Sequence, residues 1–329
     1  MIEVIEAIQA SAPGKVILFG EHFVVKGKPA IAVALSPRIH VTVKKPVNEG
    51  NKIIIVSKNT GYKLVLDPLT LEVLELNGKL LQLKKILEEL RRLSSSLKPA
   101  FIEIHSEIPV AAGLGSSASL AVAFTAAYSR FIGLELSREE ISRIAFEAEK
   151  IVHGKPSGID NTIATYGGAI LYRGGTFSRI RVGDIKDYFI IADTGVPRST
   201  REAVLRVLDL YERYPRILEH VYMAAERIVE EAKTALEEAD TVRLGELMNI
   251  NHGLLSAIGV SGLELEQLVH VARKNGALGS KITGAGIGGA IIALTIRENT
   301  DRVYGALGRY AKNIIKASID WEGVRIEQR

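Results

Sequence analysis

The sequence predicts an α+β chain of two domains, and three observations carry that expectation. Short β-type runs separated by turns crowd the first third of the chain. Long helical runs dominate beyond about residue 200. The length, 329 residues, exceeds the roughly 100–200 residues of one ordinary domain. Hydrophobic residues make up 47% and charged residues 24% of the chain, the balance of a packed globule.

In chain order, short β-type runs between turns predict strands at 4–10, 15–19, 30–34, 40–44, 52–56 and 62–66. Leucines at three- and four-residue spacing predict a helix over 80–93, and 101–105 reads as another strand. A small-residue loop at 109–119 runs into an apolar helical stretch at 120–131. Ser137-Arg138-Glu139-Glu140 is a capping box that opens a helix through about Val152. Gly167-Gly168 breaks the chain before a strand at 169–172. Past Gly174-Gly175 a strand is expected at 188–193, then helices at 200–210, 215–238, 241–256 and 263–275. A second glycine-rich loop, 283–289, leads into a strand at 290–295. The change of character near 175–187 divides the chain into domains at 1–180 and 181–329.

Composition excludes several classes of function. The longest apolar runs, such as 120–128 and 290–294, fall far short of a bilayer span. No basic-then-apolar leader opens the chain, so a cytoplasmic protein without a membrane partner is expected. The absence of cysteine rules out disulfides and thiolate metal sites. A net charge of +4 with mixed signs, and no basic block interleaved with aromatics, argues against nucleic acid. The pI near 9.0 is compatible with small anionic ligands.

The loop Pro109-Val110-Ala111-Ala112-Gly113-Leu114-Gly115-Ser116-Ser117-Ala118-Ser119 carries the most chemical information. Glycines let backbone N–H groups converge without a Cβ in the way. The helix that follows adds unpaired donors and a partial positive charge. Together they form a phosphate cradle, with serine hydroxyls suited to a phosphate oxygen or a magnesium ion. A Gly/Ser loop with an ordinary helix cap would look the same in isolation. A Walker loop is excluded because no lysine follows Gly115. A dinucleotide fold is disfavoured because the loop does not sit at the first strand–helix turn.

Two further segments and one acid hold candidate chemistry. In Pro13-Gly14-Lys15-Val16-Ile17-Leu18-Phe19-Gly20-Glu21-His22, a lysine starts an apolar strand and an acid and a histidine follow its end. Lys15 could place a cation at a site edge or simply snorkel to water. In His153-Gly154-Lys155-Pro156-Ser157-Gly158-Ile159-Asp160-Asn161, Asp160 lies in a turn ahead of an apolar strand. It could act as a general base or cap a helix. Glu149, eleven residues earlier on the preceding helix, could hold magnesium or face solvent.

Jointly, the segments 13–25, 109–119 and 281–289 resemble the three motifs of the GHMP small-molecule kinases, in order and spacing along most of the chain. Within that superfamily, KVILFGEHFVVKG at 15–27, KPSGIDNTIATYGG at 155–168 and TGVPRST at 194–200 look like the mevalonate kinases. The resemblance implies a ribosomal protein S5 domain 2-like N-terminal domain and a ferredoxin-like C-terminal domain. It implies ATP-dependent phosphorylation of the 5-hydroxyl of (R)-mevalonate with Mg²⁺, in a homodimer. Carried over, Asp160 is the catalytic base and Lys15 its neighbour. Ser117 and Glu149 are the magnesium ligands. His22, Glu21, Arg198 and Thr200 face the substrate. The loop from Pro109 to Ser119, with Gly284 and Gly286, binds ATP. A related kinase acting on phosphomevalonate or another mevalonate hydroxyl, and a non-catalytic ligand-binding paralogue, are the alternatives.

Two positions depart from the family pattern. Ile287 replaces a glycine of the third motif, and Ala290 stands where a cysteine is common. A β-branched residue resists positive φ, so either the position never needed it or the loop is reshaped. His40, His105, His220 and His270 lack the companions of a metal site and read as packed or surface residues. His153 is expected to be structural.

Overall fold

The computed structural model describes residues 7–46, 50–94, 96–109, 113–154, 156–185, 188–197 and 199–328. Two long antiparallel strands, β1 (Ala7–Phe19) and β2 (Ala30–Lys44), form the spine of a mainly antiparallel sheet. Each joins two runs that the sequence reading kept apart. The pairing continues through register shifts at Pro13/Gly14 and Ile17/Phe19. Such irregularities tolerate a proline inside a strand.

β2 carries different neighbours along its length. Its second half pairs β6 (Ala100–Ser106), followed by β3 (Ile53–Ser57), β4 (Lys63–Leu66) and β5 (Val73–Asn77). Its first half pairs β7 (Ala169–Arg173), which pairs β8 (Thr176–Ile180). Helices α1 (Gln82–Leu93), α2 (Ser116–Ile132), α3 (Arg138–His153) and α4 (Ile159–Tyr166) belong to this half. α2 is apolar all round and buried from Ala118 to Ser129, as a helix enclosed by other elements must be. Its alanines let it lie close to β1. The capping box of α3 forms: the Glu140 amide donates to Ser137 Oγ at 3.2 Å, and the Ser137 amide donates to Glu140 Oε2 at 2.8 Å.

The second half builds a four-stranded antiparallel sheet in the order β10 (Gly279–Thr283), β11 (Ala290–Thr295), β9 (Tyr188–Asp193), β12 (Asn313–Ala317). Helices α5 (Thr200–Arg213), α6 (Pro215–Glu238), α7 (Thr241–Ala257), α8 (Leu263–Lys274) and α9 (Thr300–Leu307) complete it. Pro215 at the first position of α6 separates it from α5, where its missing N–H costs nothing. The last strand, β13 (Arg325–Gln328), returns to the first sheet and pairs β1. One apolar core lies under the large sheet and reaches β9 and β11, and a second fills the space between α5–α9 and the small sheet.

The observed class is the α+β architecture expected, with one correction near the site. Asp160 sits in the first turn of helix α4, not in a turn before a strand. Ile159, Ile163 and Ala164 are buried at helical spacing, a pattern too short to stand out beside the preceding glycines. Among the described residues, no helix is long and apolar enough to cross a membrane.

Candidate active site

α2 begins without a side-chain cap. Gly115 is its N-cap in the left-handed region, φ 72°, after Gly113 at φ 75°. Two bonds stitch this end of the helix to β1: the Lys15 amide donates to Leu114 O at 2.8 Å, and Ser119 Oγ donates to Pro13 O at 2.7 Å. The approach is tight. A Cβ at Gly115 would lie 2.7 Å from Lys15 Cγ.

The Lys15 side chain runs past the loop to Asp160, with Nζ 3.1 Å from Oδ1. The lysine side chain is 11% exposed and the aspartate 32%. Gly158, at φ 81°, is the N-cap of α4, so Asp160 lies at the positive end of that helix, where a carboxylate is favoured. Asn161 Nδ2 donates to Ser142 O at 3.1 Å and Ser142 Oγ at 2.9 Å, tying α4 to α3.

Glu149 on α3 is buried, and its Oε1 accepts a 2.5 Å hydrogen bond from Ser117 Oγ. His153, one turn on, places Nε2 3.5 Å from Glu149 Oε2. Burial holds the Glu149 carboxyl above the usual carboxylate range, although the Ser117 hydroxyl and the charges of His153 and Lys15 pull it down; Asp160 pushes it further up. A cavity of about 150 Å³ opens here, lined by Glu149, His153, Pro156, Ser157, Gly158, Asp160 and Asn161. A larger cleft of about 540 Å³, lined by Ser36, Pro37, Glu107, Tyr304, Ile314, Ile315 and Lys316, contains none of these groups. Chemistry rather than size marks the smaller cavity as the site.

A second group joins the first and third motifs. Lys281 and Glu21 form an ion pair with both side chains buried. Glu21 Oε2 also accepts from Asn251 Nδ2 at 3.3 Å, and Lys281 Nζ donates to Ile282 O at 2.6 Å. His22 Nε2 lies 2.8 Å from Ala285 O, while its buried Nδ1 has no partner among the described residues. Burial lowers the pKa of His22. The carboxylate of Glu21, expected to face substrate, is thus engaged within the protein.

The other expected residues divide. Gly284 and Gly286 take φ 77° and 71°, and a Cβ at Gly286 would lie 2.2 Å from Val260 O. Ile287 follows at φ 54°. The loop therefore keeps a conformation that favours glycine despite the β-branched residue, and the strain is retained. Leu114 and Ala118 are core residues, and the Ser119 hydroxyl points inward to Pro13 O. Ser116 and Ser117 stand at the open end of α2. Pro109 is half-buried before the loop, and Thr200 is exposed at the start of α5. Ala111, Ala112 and Arg198 lie outside the described residues. His153, expected to be structural, reaches the cavity. The i,i+4 spacing from Glu149 was the sequence signal for it.

The GHMP kinases N terminal domain family matches residues 82–168, and the GHMP kinases C terminal family matches residues 232–313. A mevalonate kinase of Aeropyrum pernix is 41% identical over 323 residues, covering 98% of this chain and 99% of its own. The chain belongs to the mevalonate kinase family of the GHMP kinases. Solved mevalonate kinases agree. The L. major enzyme in complex with R-mevalonate is 34% identical with a TM-score of 0.80, covering 95% of each chain. The Methanococcus jannaschii enzyme is 27% identical with a TM-score of 0.83, covering 95% of this chain and 98% of its own. As a GHMP kinase, this chain pairs the phosphate-type loop at α2 with the carboxylates of α3 and α4.

Among the described residues, no cluster of three His, Cys, Asp or Glu could enclose a metal ion. Glu149 and Ser117 nonetheless fit magnesium. They supply one carboxylate and one hydroxyl, hard oxygen donors, at the end of a phosphate loop. Magnesium takes one or two such protein ligands and completes its shell with phosphate oxygens and water.

Proposed function

We propose that this kinase transfers the γ-phosphoryl group of ATP to the 5-hydroxyl of (R)-mevalonate, giving 5-phosphomevalonate for isoprenoid biosynthesis. The observation that carries the reading is the 3.1 Å pair between Lys15 Nζ and Asp160 Oδ1. It stands beside the buried Glu149–Ser117 bond at the open end of α2. Full-length similarity to mevalonate kinases, one of them solved with R-mevalonate, supports the choice of substrate.

Phosphoryl transfer needs alignment and neutralised charge more than covalent chemistry. The backbone amides of the 113–117 turn hold the phosphates. Glu149 and Ser117 would hold Mg²⁺, which when bound neutralises phosphate charge. Asp160 accepts the proton of the attacking hydroxyl through Oδ1 or Oδ2, because a free alcohol is a poor nucleophile. Lys15 stabilises the alkoxide charge that develops as the proton leaves. The family resemblance assigns His22 to substrate contact, and Arg198 and Thr200 to the segment that meets the substrate carboxylate or the phosphates. The Gly284 and Gly286 turn completes the nucleotide site. By family precedent the enzyme is a cytoplasmic homodimer, for which light scattering is expected to give twice the 35.8 kDa chain mass.

The test is a coupled ADP-release assay with mevalonate, phosphomevalonate, homoserine and galactose, run on the natural protein and on Asp160→Asn. Turnover is expected with mevalonate, and none from Asp160→Asn although it still binds ATP. Activity only with another alcohol would overturn the substrate. Near-normal turnover by Asp160→Asn would overturn the base.

A further inference from the structure

We propose that the C-terminal tail, residues 318–328, is a positioning element for the Lys15–Asp160 pair, acting through both of the elements that carry it. The inference rests on the reading of Asp160 as the base.

α4 is eight residues long, about 12 Å at 1.5 Å per residue, so its two ends move as one body. One end carries Asp160. The tail holds the other. The Gly168 amide donates to Asp320 O at 2.7 Å, and the Val324 amide donates to Thr165 O at 3.0 Å. The second bond satisfies a carbonyl that the end of a helix leaves orphaned. Backbones approach here without room for a side chain. A Cβ at Gly323, φ +73°, would lie 2.2 Å from Thr165 O, and one at Gly167 would lie 2.5 Å from Gly323 N.

The tail is itself anchored to the large sheet. The Ser36 amide donates to Ser318 O at 2.9 Å, and the Asp320 amide donates to Ala34 O at 3.0 Å. Arg38, only 5% exposed, grips it from β2. Its Nη1 donates to the Asp320 carboxylate, and its Nη2 donates to Gly323 O at 2.5 Å and Ser11 O at 3.0 Å. Its Nε donates to Ser11 Oγ at 3.0 Å. Asp320 Oδ1 accepts the amides of Glu322 and Gly323 at 3.1 and 2.9 Å. The segment thus holds a buried ion pair braced by further hydrogen bonds.

At its far end the tail forms β13, which pairs β1, with Arg325 opposite Ser11. Lys15 lies four residues along that strand. One segment therefore fastens both the strand that carries Lys15 and the helix that carries Asp160, and neither bond touches the cavity lining.

Gly323→Ala tests this, because its Cβ pushes the tail off Thr165 while leaving every site side chain unchanged. The expected result is a kcat lower by about 10- to 100-fold, the loss that follows a misplacement of about 1 Å, with KM for ATP within about twofold. Amides 162–168 should exchange faster with solvent while the rest keep their protection. Asp320→Asn retains the Oδ1 acceptor and weakens the Arg38 grip. It should show the same split with a smaller loss, and it carries the test if Gly323→Ala does not fold. Unchanged kcat in a folded tail variant would overturn the proposal, as would KM for ATP rising in step with falling kcat. Near-normal turnover by Asp160→Asn alone is a different failure, that of the base assignment.

Discussion

Substituting alanine for Gly115 probes the contact between the phosphate loop and the catalytic lysine. Gly115 has φ 72°, a conformation that costs an L-residue about 1–2 kcal/mol. The less flexible unfolded chain returns about 0.4–1 kcal/mol of that, so the net backbone loss is about 1 kcal/mol. The steric effect is larger in consequence. The new Cβ would lie 2.7 Å from Lys15 Cγ, against an ordinary carbon contact of about 3.5–4.0 Å. Cγ is close to the backbone, and the Lys15 amide is held by Leu114 O at 2.8 Å, so the strand and the loop must separate by about 1 Å. That displacement falls directly on the 3.1 Å Lys15–Asp160 pair. A shift of about 1 Å can cost about 10²-fold in rate, or about 2.7 kcal/mol of transition-state stabilisation. Steady-state kinetics with mevalonate and ATP should give kcat down by about two orders of magnitude, and calorimetry a melting point lower by a few degrees. A kcat within twofold of the natural protein, alongside the lowered melting point, would refute the reasoning. Lys15 would then be bending around the methyl without loss of alignment.

Two further predictions concern the protein away from the phosphate loop. Among the described residues, Lys281→Met leaves the buried Glu21 carboxylate with Asn251 as its remaining partner. It should destabilise the protein by about 3–5 kcal/mol in urea unfolding, with the Glu21→Gln/Lys281→Met double variant recovering most of the loss; a single variant as stable as the natural chain would contradict this. Burial holds His252 and His22 below the usual histidine range, so between the lowered value and about 6.5 the unfolded chain binds more protons than the folded one. Stability is full above that window and is lost as pH falls through it. Urea midpoints at pH 7.5 and 5.5 should differ less for His252→Gln than for the natural protein, and an equal difference would remove His252 from the account.

Much of the fold was legible because it rests on local patterns. The capping box at Ser137–Glu140 needed four residues to declare α3, and the apolar stretch after Gly115 declared a buried helix. β10, β12 and β13 were missed. β12 and β13 pair strands far away in sequence, and an edge strand such as β12, half exposed along most of its length, leaves no clean alternation. α4 was misread as turn and strand, since eight residues after a Gly/Pro/Ser segment give too few periods to identify a helix. At the site, Lys15, Ser117, Glu149 and Asp160 were named from residue type and the resemblance of their surroundings to known motifs. His153 was set aside, although its spacing from Glu149 puts both on one helix face.

By itself the sequence determined the local chemistry: which turns demand glycine, which helix opens onto a phosphate-type loop, and which charged groups stand in apolar surroundings. Ile287 shows its limit. The residue argues against positive φ, yet the loop holds it at 54°, its amide donating to Val260 O at 2.7 Å, because close packing on both sides over-determines the backbone. Glu21 shows the limit again: a carboxylate at a strand end reads as a ligand contact until Lys281, 260 residues away, takes it. Only the tertiary structure decided that pairing, and only it brought Asp320 beneath α4. A buried charge or an orphaned carbonyl must find a partner, but the partner's identity depends on which distant segments the packed core brings together.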